Sequence, residues 1–71
     1  MKANELKAGY RYYDGICNMY YTGKTEMRGH YDWKEGWKVE KCYIFNGQFG
    51  GPEMDFTEAE LERLVERMPQ I

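Results

Sequence analysis

The sequence is poor in the residues that most often carry out catalysis. It contains no serine, one histidine (His30) and two cysteines (Cys17 and Cys42). A serine triad is therefore excluded, and the only nucleophile and base that can be combined are Cys17 and His30. A chain of 71 residues also offers little depth for a cleft that excludes water. We therefore predict a non-enzymatic protein.

The sequence also has no long apolar run. None approaches the roughly 20 residues that a membrane-spanning helix needs, so we predict no membrane segment. The N-terminal stretch MKANELKAG lacks the apolar core of a secretory signal. We therefore expect a cytoplasmic location, in which the two cysteines stay reduced. A disulfide between Cys17 and Cys42 is the alternative, and it would be worth about 3 kcal/mol by constraining the unfolded chain.

A basic cluster is missing as well. The formal net charge is −2, and residues 53–71 carry six acidic side chains against two basic ones. Non-specific binding of nucleic acid needs several Lys or Arg residues that neutralise phosphates together. We therefore rank nucleic acid below protein as a partner.

Aromatic side chains, in contrast, are abundant, at 17 % of the residues. A chain of this length forms a single domain, residues 1–71, and buries only about 60 % of the surface that its unfolded form exposes. Aromatic rings bury about 150–250 Å² each, so a few of them fill a small core. The composition predicts an aromatic core, with more rings than the core can hold.

The segment DFTEAELERLVERMP predicts a C-terminal α-helix over about residues 58–68. Thr57 is the expected N-cap, Glu60 completes a capping box, and Pro69 ends the helix. Apolar residues recur at the spacing of one helix face, and they are Leu61, Leu64, Val65 and Met68. The stripe predicts that the helix docks on a sheet of the same chain.

Residues 9–49 are rich in the β-branched and aromatic residues that favour strands. Four glycine-containing turn signals divide this region, and they are Asp14–Gly15, Gly23–Lys24, Lys34–Gly36 and Asn46–Gly47. The pattern predicts a curled antiparallel meander of about five short strands. Together with the helix, this sheet predicts an α+β fold. If the sheet rolls up, we expect an SH3-like barrel.

The stretch GHYDWKEGWKVEKC gathers the histidine, both tryptophans and one cysteine. A turn at Lys34–Gly36 sets Trp33 opposite Trp37 on an apolar face, which is expected to cover the core. The same face carries Met27, Tyr31 and Val39. The other face is charged, with His30 opposite Glu40. Two interpretations of the tryptophans stay open. Either they pack as a pair in the core, or they extend beyond a core that is too small and serve as exposed binding anchors.

The inferred strand registers also bring Cys17, His30 and Cys42 onto adjacent strands. A turn at Gly23–Lys24 places Cys17 opposite His30, with Cys42 diagonal to it. Thiolate and imidazole ligands of this kind can bind zinc. The sequence has no CxxC or HxxxH spacing, so zinc is the weaker prediction. The stronger one is a histidine paired with Glu40, beside cysteines that pack as small apolar residues and need no cofactor.

The surplus of tyrosine indicates a contact surface. Because successive residues of a strand point to opposite faces, some tyrosines must face solvent or a partner. Tyrosine is enriched at protein interfaces, so we predict a protein partner. The predicted contact residues form one patch on the histidine face, Tyr10, Tyr12, Met19, Tyr21 and Arg28, with Trp33 and Trp37 as anchors on the other face.

In size and composition the chain resembles the small acidic proteins that phages and mobile elements carry, many of which bind and block a host protein. The likeness covers no motif and transfers no residue. It implies an inhibitor that acts by occupying a surface. The first alternative is a module that stacks single-stranded nucleic acid on exposed rings, and the second is a small zinc-binding domain.

Overall fold

The computed structural model describes residues 2–67, which form one five-stranded antiparallel sheet. The strands are β1 (Arg11–Tyr13), β2 (Asn18–Asp32), β3 (Gly36–Gly47), β4 (Met54–Thr57) and β5 (Val65–Arg67). Two short 3₁₀ helices, Ala3–Glu5 and Glu60–Arg63, precede β1 and β5. Strands β1 to β4 form a meander, and β5 returns to pair with β1. The order across the sheet is therefore β4-β3-β2-β1-β5. The predictions of a small domain and an antiparallel sheet are confirmed.

The predicted C-terminal α-helix is wrong, and so is the α+β class. The expected capping box does form, since the Thr57 N–H donates to Glu60 Oε1 at 3.0 Å and the Glu60 N–H donates to Thr57 Oγ1 at 3.4 Å. It starts only one 3₁₀ turn, which ends where Leu64 adopts an extended backbone with φ −85° and ψ 140°. The described part of residues 58–68 contains no α-helix. Met68 and Pro69 lie outside the described residues.

Tertiary contacts explain why the extended form replaces the helix. Leu61 and Leu64 are three residues apart, and both reach the core from the single 3₁₀ turn. Beyond them, β5 pairs antiparallel with β1 and completes an edge that would otherwise be open. A helix this short is marginal by itself in water. Burial of the two leucines and the added strand pairing therefore outweigh the local capping signal.

The first hairpin has a longer loop than the predicted Asp14–Gly15 turn. The Asp14 carboxylate accepts hydrogen bonds from the N–H groups of Ile16 and Cys17 at 2.8 and 2.9 Å. These bonds hold the chain in a loop through Cys17 before β2 begins. Tyr12 consequently lies opposite Met19.

A turn over residues 33–35 joins β2 to β3, one residue before the predicted turn at Lys34–Gly36. Gly36 closes it with a φ of +81°, a conformation that glycine adopts without strain. The register differs from the predicted one, because Trp37 lies opposite Tyr31 while Trp33 is in the turn itself. The two tryptophans therefore do not form a cross-strand pair.

The predicted turn at Gly23–Lys24 is wrong, and β2 runs through these residues as one strand of 15 residues. The register shifts between Tyr21 and Thr25, where Gly23 has a φ of +87°. A glycine with positive φ suits a β-bulge as well as a tight turn. The sequence pattern around Gly23 therefore could not distinguish a bulge from the predicted turn. Asn46 and Gly47 are not a turn either, since both pair with β2.

The core lies on one face of the sheet, where the short strands join the two long ones. Phe45 is fully buried, and its ring meets Tyr12 and Phe56 edge to face, with 6.0 and 5.2 Å between ring centroids. The other buried members of this cluster are Met19, Tyr21, Tyr43, Leu61 and Leu64. Aromatic rings dominate the cluster, in agreement with the composition.

Strands β2 and β3 are longer than the core. Their paired ends and the turn between them form a two-stranded arm, which we define as residues 26–41. None of its residues, all within the described range, is buried. The molecule is accordingly elongated, with principal dimensions of 43 × 24 × 21 Å. The arm presents both of its faces to solvent.

The fold predicts different costs for truncating two neighbouring residues, Leu64 and Val65. Both belong to the apolar stripe of the predicted helix, but Leu64 is buried and Val65 is exposed. We expect Leu64→Ala to lower the unfolding free energy by about 2–5 kcal/mol, and Val65→Ala to lower it by less than about 1 kcal/mol. Urea denaturation measures both values. Equal losses would contradict the strand arrangement and favour the helix.

Candidate functional site

Apolar side chains line one face of the arm. Met27 and Tyr31 on β2 and Trp37 and Val39 on β3 occupy alternate positions, so they point to the same side of the sheet. That side continues the core face, because Tyr43 stands at the same alternation on β3, beyond Lys41, and belongs to the core. The sheet therefore carries one apolar face that is longer than the core it covers.

These side chains are strongly exposed. The exposed fractions are 65 % for Met27, 65 % for Tyr31, 77 % for Trp37 and 66 % for Val39, and Trp33 in the adjoining turn is 80 % exposed. We call these five residues the arm face. Tyr31 and Trp37 meet edge to face, with 5.9 Å between ring centroids. A contiguous exposed apolar cluster of this kind is typical of an interaction site.

Within residues 2–67, the arm face is uncovered because the neighbouring elements end before it. Strand β4 pairs only with Cys42–Phe45 of β3. The second 3₁₀ helix buries Leu61 against the core cluster, not against the arm. Residues of the arm face thus have the alternation of core residues without the second layer that a core requires.

The opposite face of the arm is charged and internally paired. Arg28 contacts three carboxylates, with Glu26 at 2.7 Å, Asp55 at 3.0 Å and Glu53 at 3.6 Å. Hydrogen bonds that its guanidinium donates to Glu26 and Asp55 raise the pKa of Arg28 further above its usual value. Since Asp55 belongs to β4, these ion pairs fix the base of the arm to the body of the sheet.

The residues predicted to bind zinc are not brought together. Because β2 is continuous, Cys17 and His30 are separated by about 40 Å of extended chain. His30 and Cys42 border a hollow of about 420 Å³ on the charged face, and His30 Nε2 lies 3.9 Å from Glu40 Oε2. Among residues 2–67 no group of three or more His, Cys, Asp or Glu side chains is arranged to bind a metal ion. The predicted register that set His30 opposite Glu40 is wrong, because His30 lies opposite Lys38. The 3.9 Å between His30 and Glu40 is too long for a hydrogen bond.

Both cysteines are free thiols. Burial, followed by the charge of Asp14, raises the pKa of Cys17. Burial, followed by the charge of Asp55, raises the pKa of Cys42. Since the thiolate is the nucleophilic form, both groups are poorly suited to nucleophilic attack at neutral pH. The distance between Cys17 and His30 also separates the members of the dyad that the sequence allowed.

The tyrosine patch predicted from the sequence is largely inside the molecule. Tyr12 and Met19 are fully buried and Tyr21 is nearly so, so these three residues stabilise the core and present no surface to a partner. Tyr10 packs against the core at its edge, and Arg28 belongs to the ion-paired face. The predicted patch depended on a second hairpin in β2. Without that hairpin, the tyrosine side is the side that the second 3₁₀ helix covers.

Among the predicted contact residues, the structure exposes Trp33 and Trp37 most strongly. Sequence reasoning assigned Met27, Tyr31 and Val39 to the core face and so missed them as surface residues. Alternation identifies which side chains share a face, but it does not show whether a second layer covers that face. The available signal was the number of apolar positions on that face, which exceeds what so small a core can bury.

A second apolar patch lies at the other end of β2 and β3 and was also missed. Ile16 and Phe49 are exposed in the loops before β2 and after β3. They border a hollow of about 450 Å³ that Pro52 and Met54 also line. Loop residues follow no periodicity, so no pattern in the sequence could predict that they meet.

Comparison of the chain with family models, with curated proteins and with solved structures gave no match. Within residues 2–67, no helix is long and apolar enough to cross a membrane. The arm face is therefore the principal basis for a functional proposal.

Burial of Tyr12 predicts sensitivity to alkaline pH. The burial raises the pKa of Tyr12 above its usual value of about 10, although its hydroxyl oxygen accepts a hydrogen bond from the Lys7 N–H at 2.9 Å. The unfolded chain loses this proton at a lower pH than the folded chain, so stability is retained below about pH 10 and falls as the pH rises further. We expect Tyr12→Phe to flatten the fall in melting temperature between about pH 9 and pH 11. Tyr31→Phe on the arm is the control, and an equal effect of both variants would contradict the assignment.

Proposed function

We propose that this protein is a small non-enzymatic module that binds a protein partner through the arm face. The observation that carries the proposal is the exposure of Trp33, Trp37 and Tyr31 together on one projecting hairpin. Tryptophan and tyrosine dominate the energetics of protein interfaces because they bring large contact area at low rotamer cost. Strand pairing already holds Tyr31 and Trp37 in place, and Trp33 stands in the adjoining turn.

The size of the arm face fits this role. With about 200 Å² for each aromatic side chain, the exposed parts of Tyr31, Trp33 and Trp37 amount to on the order of 450 Å². That is more than half of the roughly 800 Å² that each partner contributes to a standard protein interface. Met27 and Val39 extend the patch, so the arm alone supplies most of an interface core.

The charge of the arm favours protein over nucleic acid. Residues 26–41 contain four basic and four acidic side chains, so they offer no net positive field for phosphates. One observation favours the alternative of single-stranded nucleic acid, since Lys34 Nζ lies 5.2 Å from the centre of the Trp33 ring, an arrangement that could accompany base stacking. A single lysine of this kind does not replace a basic groove.

The architecture supports action by occupying a surface. A projecting hairpin with an apolar face can enter a groove on another protein while the body of the sheet stays outside. The raised pKa values of both cysteines support a role without nucleophilic catalysis. We extend the proposal to an inhibitor that blocks a host protein, in line with the size and composition of the chain.

The proposal predicts that truncating the tryptophans weakens partner binding and leaves the fold intact. A partner is first captured from a nuclease-treated lysate of the native host, and its affinity for each variant is then measured by calorimetry. We expect Trp37→Ala or Trp33→Ala to raise the Kd at least about 30-fold, the effect of losing an interface anchor. Phe49→Ala removes a ring that is even more exposed, at 95 %, at the other end of the molecule. It should change the Kd less than about threefold.

Two results would contradict this proposal. Loss of all capture after nuclease treatment would assign the aromatic surface to nucleic acid. Equal effects of Trp37→Ala and Phe49→Ala would remove the arm face as the contact surface. The melting temperature of each variant distinguishes lost contacts from lost folding.

A further inference from the structure

The outer edge of β3 is open along the arm. Strand β4 covers β3 only at Cys42–Phe45, and residues 36–41 pair on their inner side with β2. No other strand of the described chain lies beside them. An open edge of this length is a template for pairing with a further strand.

The backbone groups available on that edge follow from the turn. In an antiparallel pair, residues alternate between hydrogen-bonded positions and positions whose N–H and C=O point outward. Counting from the Asp32–Gly36 pair that closes the turn, the outward positions on β3 are Trp37, Val39 and Lys41. These residues therefore offer their backbone groups to a partner.

We propose that two copies of this chain pair antiparallel along this edge, about a twofold axis at Val39. In this register Val39 faces Val39 of the second copy, and Trp37 faces Lys41 of the second copy. Lys38 faces Glu40 of the second copy, and the same pair recurs on the other side of the axis. The short segment WKVEK is thus self-complementary in charge, as a twofold interface requires.

Neighbouring registers along β3 lack this complementarity. Moving the axis to residue 38 sets Lys38 against Lys38 of the second copy. Moving it to residue 40 sets Glu40 against Glu40 of the second copy. Both arrangements place like charges directly opposite each other, which is destabilising. On the β2 edge, an axis at Met27 also sets opposite charges together, Glu26 against Arg28 of the second copy. That arginine is already bound by three carboxylates of its own copy, Glu26, Asp55 and Glu53. The register centred on Val39 is the one that the charges favour.

The structure also limits how far this pairing extends. Thr57 of β4 already occupies the position beside Cys42, so each copy can pair over residues 37–41. The three outward residues of each copy then make about six backbone hydrogen bonds. The next residue, Gly36, has a positive φ that directs the chain into the turn. In this register it lies opposite Cys42 of the second copy, so the pairing ends there.

This dimer extends the proposed function. A twofold axis perpendicular to the sheet keeps both arm faces on the same side of a four-stranded platform. The exposed aromatic area on that side is then doubled, to on the order of 900 Å² from six rings. A partner protein would meet two copies of the tryptophan pair at once. The dimer itself does not require the partner.

The test measures the oligomeric state of the full chain from micromolar to millimolar concentration by sedimentation equilibrium. We expect the mass to approach twice the 8.5 kDa of the chain at the upper end of this range. Val39→Pro removes an outward N–H that the monomer does not use, and it should raise the dimer Kd at least about tenfold. Gly29→Pro is the matched control, because Gly29 lies directly opposite Val39 on the unused β2 edge. It should shift the Kd less than about threefold.

A charge exchange tests the register. Lys38→Glu should weaken the dimer, and adding Glu40→Lys should restore it, because the double variant rebuilds both opposite-charge pairs. A monomeric wild-type chain at millimolar concentration would overturn the proposal. Equal losses in Val39→Pro and Gly29→Pro, or a double variant no better than the single one, would also overturn it. None of these results depends on capture of a partner, so failure of the dimer is distinguishable from failure of the arm face as a binding surface.

Discussion

The packing of Phe45 determines where this protein has a core and where it does not. Its ring contacts Tyr12 on β1, Tyr21 on β2 and Phe56 on β4, so one side chain joins four strands. The core can be only as long as the region in which all four strands overlap. Strands β1 and β4 have three and four residues, whereas β2 and β3 have 15 and 12. The excess length of the two long strands is the arm.

An arm of this kind needs support that the core does not give. A two-stranded hairpin is at best marginally stable by itself in water. Here Arg28 ties the base of the arm to the Asp55 carboxylate of β4, and the Tyr31–Trp37 contact lies nearer the tip. Lys38 pairs with Glu35 across the end of the turn. One face is therefore held by charges, which leaves the other face free to present apolar side chains.

The parts of the fold that sequence could predict are those that local chemistry decides. The turn between β2 and β3 ends at Gly36, a glycine with positive φ, and it forms one residue before the predicted position. The Thr57–Glu60 capping box also forms, but a local cap cannot determine how far a helix continues when β1 offers an unpaired edge. Gly23 has the same positive φ in a bulge as it would have in a turn, so its sequence signal is ambiguous. Reading it as a turn split β2 into two strands and produced the false pairing of Cys17 with His30.

The same distinction applies to the candidate site. Alternation correctly groups Met27, Tyr31, Trp37 and Val39 on one face, because strand periodicity is a local property. Whether that face is buried depends on which residues return to cover it. Leu61 and Leu64 pack on the Phe45 cluster. This packing depends on tertiary contacts and not on local sequence. The exposure of Trp33 and Trp37 was therefore one of two interpretations that the sequence left open, and only the three-dimensional packing decides between them.

The edge and the face of the arm are two consequences of one feature, the early end of β4. Where β4 stops at Thr57, the described part of the chain gives β3 no outer neighbour along the arm and gives the apolar face no second layer. Exposed edges with apolar faces aggregate unless charges restrict them. Lys38 and Glu40 impose this restriction on β3, since they disfavour every register that sets like charges together. Like-charge repulsion at Lys38 and Glu40 therefore keeps most strands from pairing with this edge. A strand with opposite charges at the facing positions can pair, and the β3 strand of another copy has such charges.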